Sequence, residues 1–162
     1  MSRQYDEHHR SVMIHEALHY LLSKQEGGLY FDCTAGEGGH IRAILEATKG
    51  LSRVVGLDVD REVLELAERN LKDYQGCFQL FNLSYANFEI VLRQLGVTKV
   101  DGFLLDVGVS TFQLKSLGRG FSYDIDEPLD MRMDLSRELT AERVVNGYSE
   151  KDFARIIFEY GE

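Results

Sequence analysis

Residues 36–40 read Gly36-Glu37-Gly38-Gly39-His40, and they follow directly on the apolar run Leu29-Tyr30-Phe31, which stops at Asp32. A helical pattern then begins at Ile41, Ala43, Ile44 and Leu45. Glycines let a backbone come close to a ligand, and the free N–H groups of a helix start favour negative charge. Strand, glycine turn and helix start together are the nucleotide side of a doubly wound α/β sheet. Taken alone, the turn is also compatible with a glycine-rich surface loop. Asp58 sharpens the reading. It closes a second apolar run, Arg53-Val54-Val55-Gly56-Leu57, at the strand end where an acidic side chain can accept hydrogen bonds from both ribose hydroxyls of an adenosine cofactor. Ile41 stands where the G-x-G-x-x-G fingerprint wants its last glycine, so S-adenosylmethionine fits better than NAD.

A second constellation is His15-Glu16-Ala17-Leu18-His19, a formal H-E-x-x-H. Two histidines one helical turn apart can hold zinc, with the glutamate as general base. No third ligand stands at either usual spacing, and Met13, Ala17, Leu18, Leu21 and Leu22 suit a helix over 12–22 that packs on a sheet. We therefore assign no metal site to the chain.

The elements that must position these residues alternate. After the strand ending at Asp58 comes a helix carrying Val63, Leu64, Leu66, Ala67 and Leu71. A third strand covers 77–81, a loop 82–85, and a helix Phe88 to Leu95 is closed by Gly96. A fourth strand covers 100–107 and reaches Asp106. This order predicts a parallel sheet with its site at the carboxyl ends of the strands, where Asp32, Asp58, the Ser84–Tyr85 loop and Asp106 fall. Residues 1–10 are polar and expected to be loosely ordered. The character changes after Ser110: 111–134 is rich in charge and glycine, holds Pro128, and reads as a long irregular segment of the kind that borders binding sites. Helices are expected over 140–145 and 149–160, the second with a capping pair Ser149 and Asp152.

The chain's 162 residues, with 44% apolar and 28% charged side chains, describe a folded domain with a real core. No apolar run is long enough for a membrane span and no signal-peptide pattern opens the chain, so a cytoplasmic setting is expected, with Cys33 and Cys77 as reduced thiols. The net charge of −9 opposes broad electrostatic binding to nucleic acid and restricts any such contact to a local surface.

With these strings in view, the sequence resembles the bacterial 16S ribosomal RNA cytosine-N4 methyltransferases of the MraW (RsmH) type. The motifs that carry the resemblance are D-C-T-A-G-E-G-G-H at 32–40, L-L-D-V-G-V-S at 104–110, R-G-F-S-Y at 119–123, P-L-D-M-R-M-D at 128–134, and the closing Y-G-E. It extends from about residue 9 to 162. The resemblance implies a Rossmann-like class I methyltransferase fold, S-adenosylmethionine as methyl donor, and a cytidine in the decoding centre of 16S RNA within the small ribosomal subunit as acceptor. It implies cofactor contacts at Gly36, Gly38, Gly39, His40, Asp58, Tyr85, Asp106 and Gln113. Tyr85 departs from the usual phenylalanine, Ser11 from proline, Thr111 from serine and Lys115 from aspartate.

The cytosine amine is a weak nucleophile that needs an acceptor for its proton, and Asp106 is the candidate catalytic residue, in competition with a cofactor role. The amino-methylase signature of an acidic or amide residue followed by Pro-Pro-aromatic is replaced by Asp106-Val107-Gly108-Val109. Arg119, Phe121 and Arg132 are the candidates for holding RNA through phosphate contact and stacking.

The resemblance also implies a longer chain, so 1–110 is expected to be the first part of a cofactor-binding domain and 111–162 the start of an inserted, mainly helical substrate-recognition domain. The fourth strand would then lie on an open edge, which invites pairing with another chain, a homodimer included. Two competing readings remain: an inactive fragment or cofactor-binding module of the same fold, and an NAD-type oxidoreductase, which lacks any hydride-site constellation here.

Overall fold

The computed structural model describes residues 11–22, 27–116 and 118–161; the expectation for residues 1–10 lies outside them. The chain forms two compact units, Met1–Ser110 and Thr111–Glu162.

The first unit is built on strands β1 (Leu29–Asp32), β2 (Arg53–Asp58), β3 (Phe78–Asn82) and β4 (Gly102–Leu104). All pairings are parallel and the order is β3-β2-β1-β4. The sequence expectation of a parallel, Rossmann-like α/β sheet is thus met. The order reverses between β1 and β4, which makes the crevice above them the topological switch point where such sheets bind ligands. Register places Asp32 beside Gly56 on one side and Leu104 on the other, so the β1 carboxyl end lies at the centre of this edge.

Strand side chains alternate between faces, and each face has its own core. Tyr30 and Val54 pack with Ile41, Ile44, Leu45, Leu64 and Leu71 beneath helices α2 (Gly39–Ala47) and α3 (Arg61–Asn70), joined by Leu18 and Leu21 of α1 (Ile14–Leu21). Phe31, Val55 and Leu57 pack with Val91 of α4 (Phe88–Gln94) on the other face. The parallel central strands are therefore continuous apolar runs rather than alternating ones. Cys33 belongs to the second face and Cys77 to the first, and both are free thiols.

β4 is shorter than the expected 100–107. It pairs with β1 alone, and Phe103, Leu105 and Val107 are exposed. A strand with one neighbour keeps only the residues that the neighbour's short length can bond, and β1 is four residues long.

In the second unit, the expected irregular stretch opens with a short helix α5 (Thr111–Lys115). Helices α6 (Ala141–Gly147) and α7 (Glu150–Tyr160) follow. Ser149 caps α7 by accepting the Asp152 amide at 3.2 Å, as its spacing predicts. Among the described residues no helix is long and apolar enough to cross a membrane.

Candidate functional site

β1 ends in Asp32, and the chain then turns sharply back to feed α2. Gly36 and Gly38 adopt φ of +52° and +88°, a left-handed backbone that a side chain disfavours. Gly38 is the residue before α2, and no side chain caps that helix start. The turn is tied to the next strand by the Ala35 amide, which donates to the Leu57 carbonyl at 2.8 Å. It is tied again by the Gly36 amide, which donates to Asp58 Oδ2 at 2.9 Å. The other Asp58 oxygen accepts the Asp60 amide at 3.0 Å. Burial raises the Asp58 pKa, while the Asp60 and Gly36 amides pull it back. Each carboxylate oxygen keeps a further lone pair, so Asp58 can hold the turn and accept hydrogen bonds from a diol at the same time.

Beyond β4, Asp106 is held by its backbone: its amide donates to the Thr34 hydroxyl at 2.7 Å. His40 Nε2 lies 3.5 Å from Asp106 Oδ2, with the imidazole buried on α2 and the carboxylate 43% exposed. Asp32 is fully buried. Its Oδ1 accepts the Thr34 amide at 3.1 Å, and its Oδ2 has no hydrogen-bond partner. Burial, then the charges of Asp58 and Asp106, push its pKa up to about 7 against the Thr34 amide. Burial likewise lifts the neighbouring Cys33 thiol to about 11, which leaves it a packing group at neutral pH.

Gly36, Gly38, Gly39, His40, Asp58 and Asp106 thus converge at the carboxyl ends of β1, β2 and β4. Tyr85 stands in a single 3-10 turn, Tyr85–Asn87, that follows β3 after Ser84, and is 45% exposed. Gln113 is a buried side chain of α5 in the second unit. Two further residues belong to the corner: Asp32, which the sequence places on this edge without a role, and Thr34. Asp32 was visible as an acidic residue closing a buried strand. Thr34 carried no signal, since its hydroxyl matters only because β4 lies beside β1.

The candidate cations of the second unit are engaged with their own segment. Arg119 is buried and donates to the carbonyls of Arg132 at 3.0 Å and Met133 at 3.4 Å, with its guanidinium carbon 6.0 Å from the Phe121 ring centre. Arg132 forks onto Asp130 at 2.8 and 2.7 Å and also reaches the carbonyls of Leu135 and Arg137. The hydrogen bonds from Arg132 hold Asp130 below the usual carboxylate range. His15 and His19 lie on α1, and no group of three metal-ligating side chains occurs among the described residues.

This arrangement has two properties on one edge: a glycine turn that admits close backbone approach and an acidic group that can accept from a diol. A profile of the MraW methylase family matches residues 6–162. The ribosomal RNA small subunit methyltransferase H of Kosmotoga olearia is 63% identical over 162 residues, all of this chain and 54% of that protein. Its namesake from Petrotoga mobilis is 57% identical over 150 residues, 93% of this chain and 52% of that protein. That of Thermotoga neapolitana is 52% identical over 160 residues, 99% of this chain and 53% of that protein. The chain spans about half the length of these curated relatives.

Proposed function

The chain belongs to the MraW methylase family, and we propose that it carries the cofactor corner of an S-adenosylmethionine-dependent methyltransferase acting on the N4 amine of a cytidine in the decoding centre of 16S ribosomal RNA. The observation that carries the reading is the Gly36–Asp58 hydrogen bond, which fixes a ligand-approachable turn against a diol acceptor. The names of the relatives support ribosomal RNA of the small subunit as substrate.

When bound, the sulfonium supplies an activated methyl group for in-line displacement, so catalysis rests largely on positioning. The turn 36–39 would hold the ligand through its backbone, Asp58 would accept from its ribose hydroxyls, and Tyr85 would pack against its base. Residues 1–110 form this part. Asp106, the exposed carboxylate of the three at this edge, is held by Thr34 and faced by His40. It accepts the hydrogen bond of the cytidine amine and its proton as the amine attacks. The target base has to be unpaired or flipped to reach the crevice. In 111–162, Arg119 and Arg132 brace the segment through backbone carbonyls, and they and Phe121 are the proposed RNA contacts, by phosphate pairing and stacking.

The test is transfer of label from methyl-labelled S-adenosylmethionine to small ribosomal subunits that lack the modification. Label recovered as N4-methylcytidine supports the reading. A chain that binds S-adenosylmethionine but transfers nothing to these subunits supports the cofactor-binding module instead.

A further inference from the structure

β2 and β3 carry two polar side chains on the sheet face that Phe31, Val55 and Leu57 make apolar. Strand residues two apart share a face, so Arg53 lies on the side of Val55, and the register sets Gln79 beside Val55. A parallel sheet is ordinarily covered on both faces. The cover here is α4, whose seven residues span about 10 Å, against about 20 Å for the six residues of β2. The amino-terminal part of this face is left open past the end of α4, and a cavity of about 170 Å³ lies there. Its lining includes Leu29, Val55, Leu95 and Val97 together with Arg53 and Gln79. Val55 is buried and makes the floor, whereas Arg53 and Gln79 are exposed and stand at the rim. Among the described residues, neither the Arg53 guanidinium nor the Gln79 amide is engaged by another group.

An apolar floor with a guanidinium at one end is a receptor for a small amphiphilic anion. The volume selects the apolar half of the ligand, since an apolar cavity of about 150 Å³ takes one benzene ring. The guanidinium selects the other half, because its planar fork pairs bidentately with a carboxylate. We propose that this cavity binds a monocyclic aromatic carboxylate of the benzoate class. The ring rests on Val55 beneath Leu95 and Val97, Arg53 forks onto the carboxylate, and the Gln79 amide N–H donates to one of its oxygens. The cavity lies at the amino ends of the strands and the glycine turn at their carboxyl ends, so the inference does not rest on the cofactor reading. A net charge of −9 opposes general uptake of anions, which makes binding at this one cation diagnostic.

The test is amide NMR titration of the 162-residue chain with benzoate, and in parallel with benzyl alcohol, a neutral ligand of similar size. The expected result is saturating shifts confined to Leu29, 53–55, 77–79 and 95–97, with the millimolar Kd usual for a ligand of about nine non-hydrogen atoms. Benzyl alcohol should bind about tenfold more weakly, because it cannot pair with the fork. Arg53→Gln should weaken benzoate about tenfold and leave benzyl alcohol unchanged. Val97→Phe, shown folded by circular dichroism, should fill the cavity and abolish both. Shifts that do not saturate, or that spread over other surface cations, overturn the inference. So does equal affinity for the two ligands, or benzoate binding that survives Arg53→Gln. The comparison of the two ligands on the unmodified chain is decisive even if a variant does not fold.

Discussion

Asp58 Oδ2 accepts the Gly36 amide at 2.9 Å, a bond that spans 22 residues and locks the turn after β1 to the end of β2. The same carboxylate therefore shapes the turn and, under the proposed function, would accept from the ligand's ribose. Asp58→Ala leaves the Gly36 and Asp60 amides without their acceptor. An unmade bond of this kind costs about 1–3 kcal/mol. The expected outcome in denaturant titration is a loss in that range, with the far-ultraviolet circular dichroism of the sheet retained. Asp58→Asn, which keeps one acceptor oxygen, should recover part of the stability and little of the ligand affinity.

Asp32 gives stability an unusual pH dependence. Its folded pKa, about 7, lies above the ordinary carboxylate value of 3.8, so the folded chain binds the extra proton between those limits. Its contribution is greatest at low pH and is lost as pH rises through the folded value. Above neutrality the folded chain therefore carries the cost of a buried, unpaired carboxylate. Asp32→Asn should raise the melting temperature at pH 8 relative to the unmodified chain and gain much less at pH 5. An equal shift at both pH values would contradict this assignment.

Gly56 in β2 tests the packing beneath the turn. A Cβ there would meet Ile41 Cδ1 and Leu80 Cδ2 at 2.7 Å and Ala35 Cβ at 3.1 Å. Overpacking of this kind costs about 1–3 kcal/mol. Gly56→Ala should lower the denaturation midpoint accordingly. It should also weaken ligand binding, because Ala35 and Ile41 flank the glycine turn.

Most of the first unit was legible in the sequence. The β1 and β2 ends at Asp32 and Asp58 follow from buried runs that stop at an acid, and the apolar spacing of Val63, Leu64 and Ala67 marks α3. The glycine turn was legible as well, since only glycine readily takes the φ values at positions 36 and 38. What could not be read was partnership. The short β4 depends on how much of β1 lies beside it, and the role of Thr34 depends on that same neighbour. The second unit was less legible because it is held by side chains bonding to backbone carbonyls, a pattern with no period. Arg119 and Arg132 stand out in sequence as candidates for holding RNA, and their hydrogen bonds to their own segment depend on loop geometry that no periodicity reveals.

That bracing can be checked directly. Arg132 makes a fork onto Asp130, and lysine has no equivalent geometry. Arg132→Lys should therefore speed amide hydrogen exchange at 130–137, including the Arg132 amide bonded to Asp130 Oδ1, while the amides of β1 and β2 keep their protection. Asp130, no longer held low by the guanidinium, should titrate closer to the ordinary carboxylate value. Unchanged exchange in 130–137 would show that the segment is held by other contacts.

Binding of S-adenosylmethionine is the most direct measure of what this corner is for. Isothermal titration of the chain with S-adenosylmethionine, and in parallel with NAD and with the Asp58→Ala variant, separates the readings in one experiment. The geometry calls for micromolar affinity for S-adenosylmethionine, none for NAD, and loss of binding when Asp58 is removed. A folded chain that ignores S-adenosylmethionine, or binds it equally well without Asp58, would contradict the assignment of the turn and its acidic partner as the cofactor site.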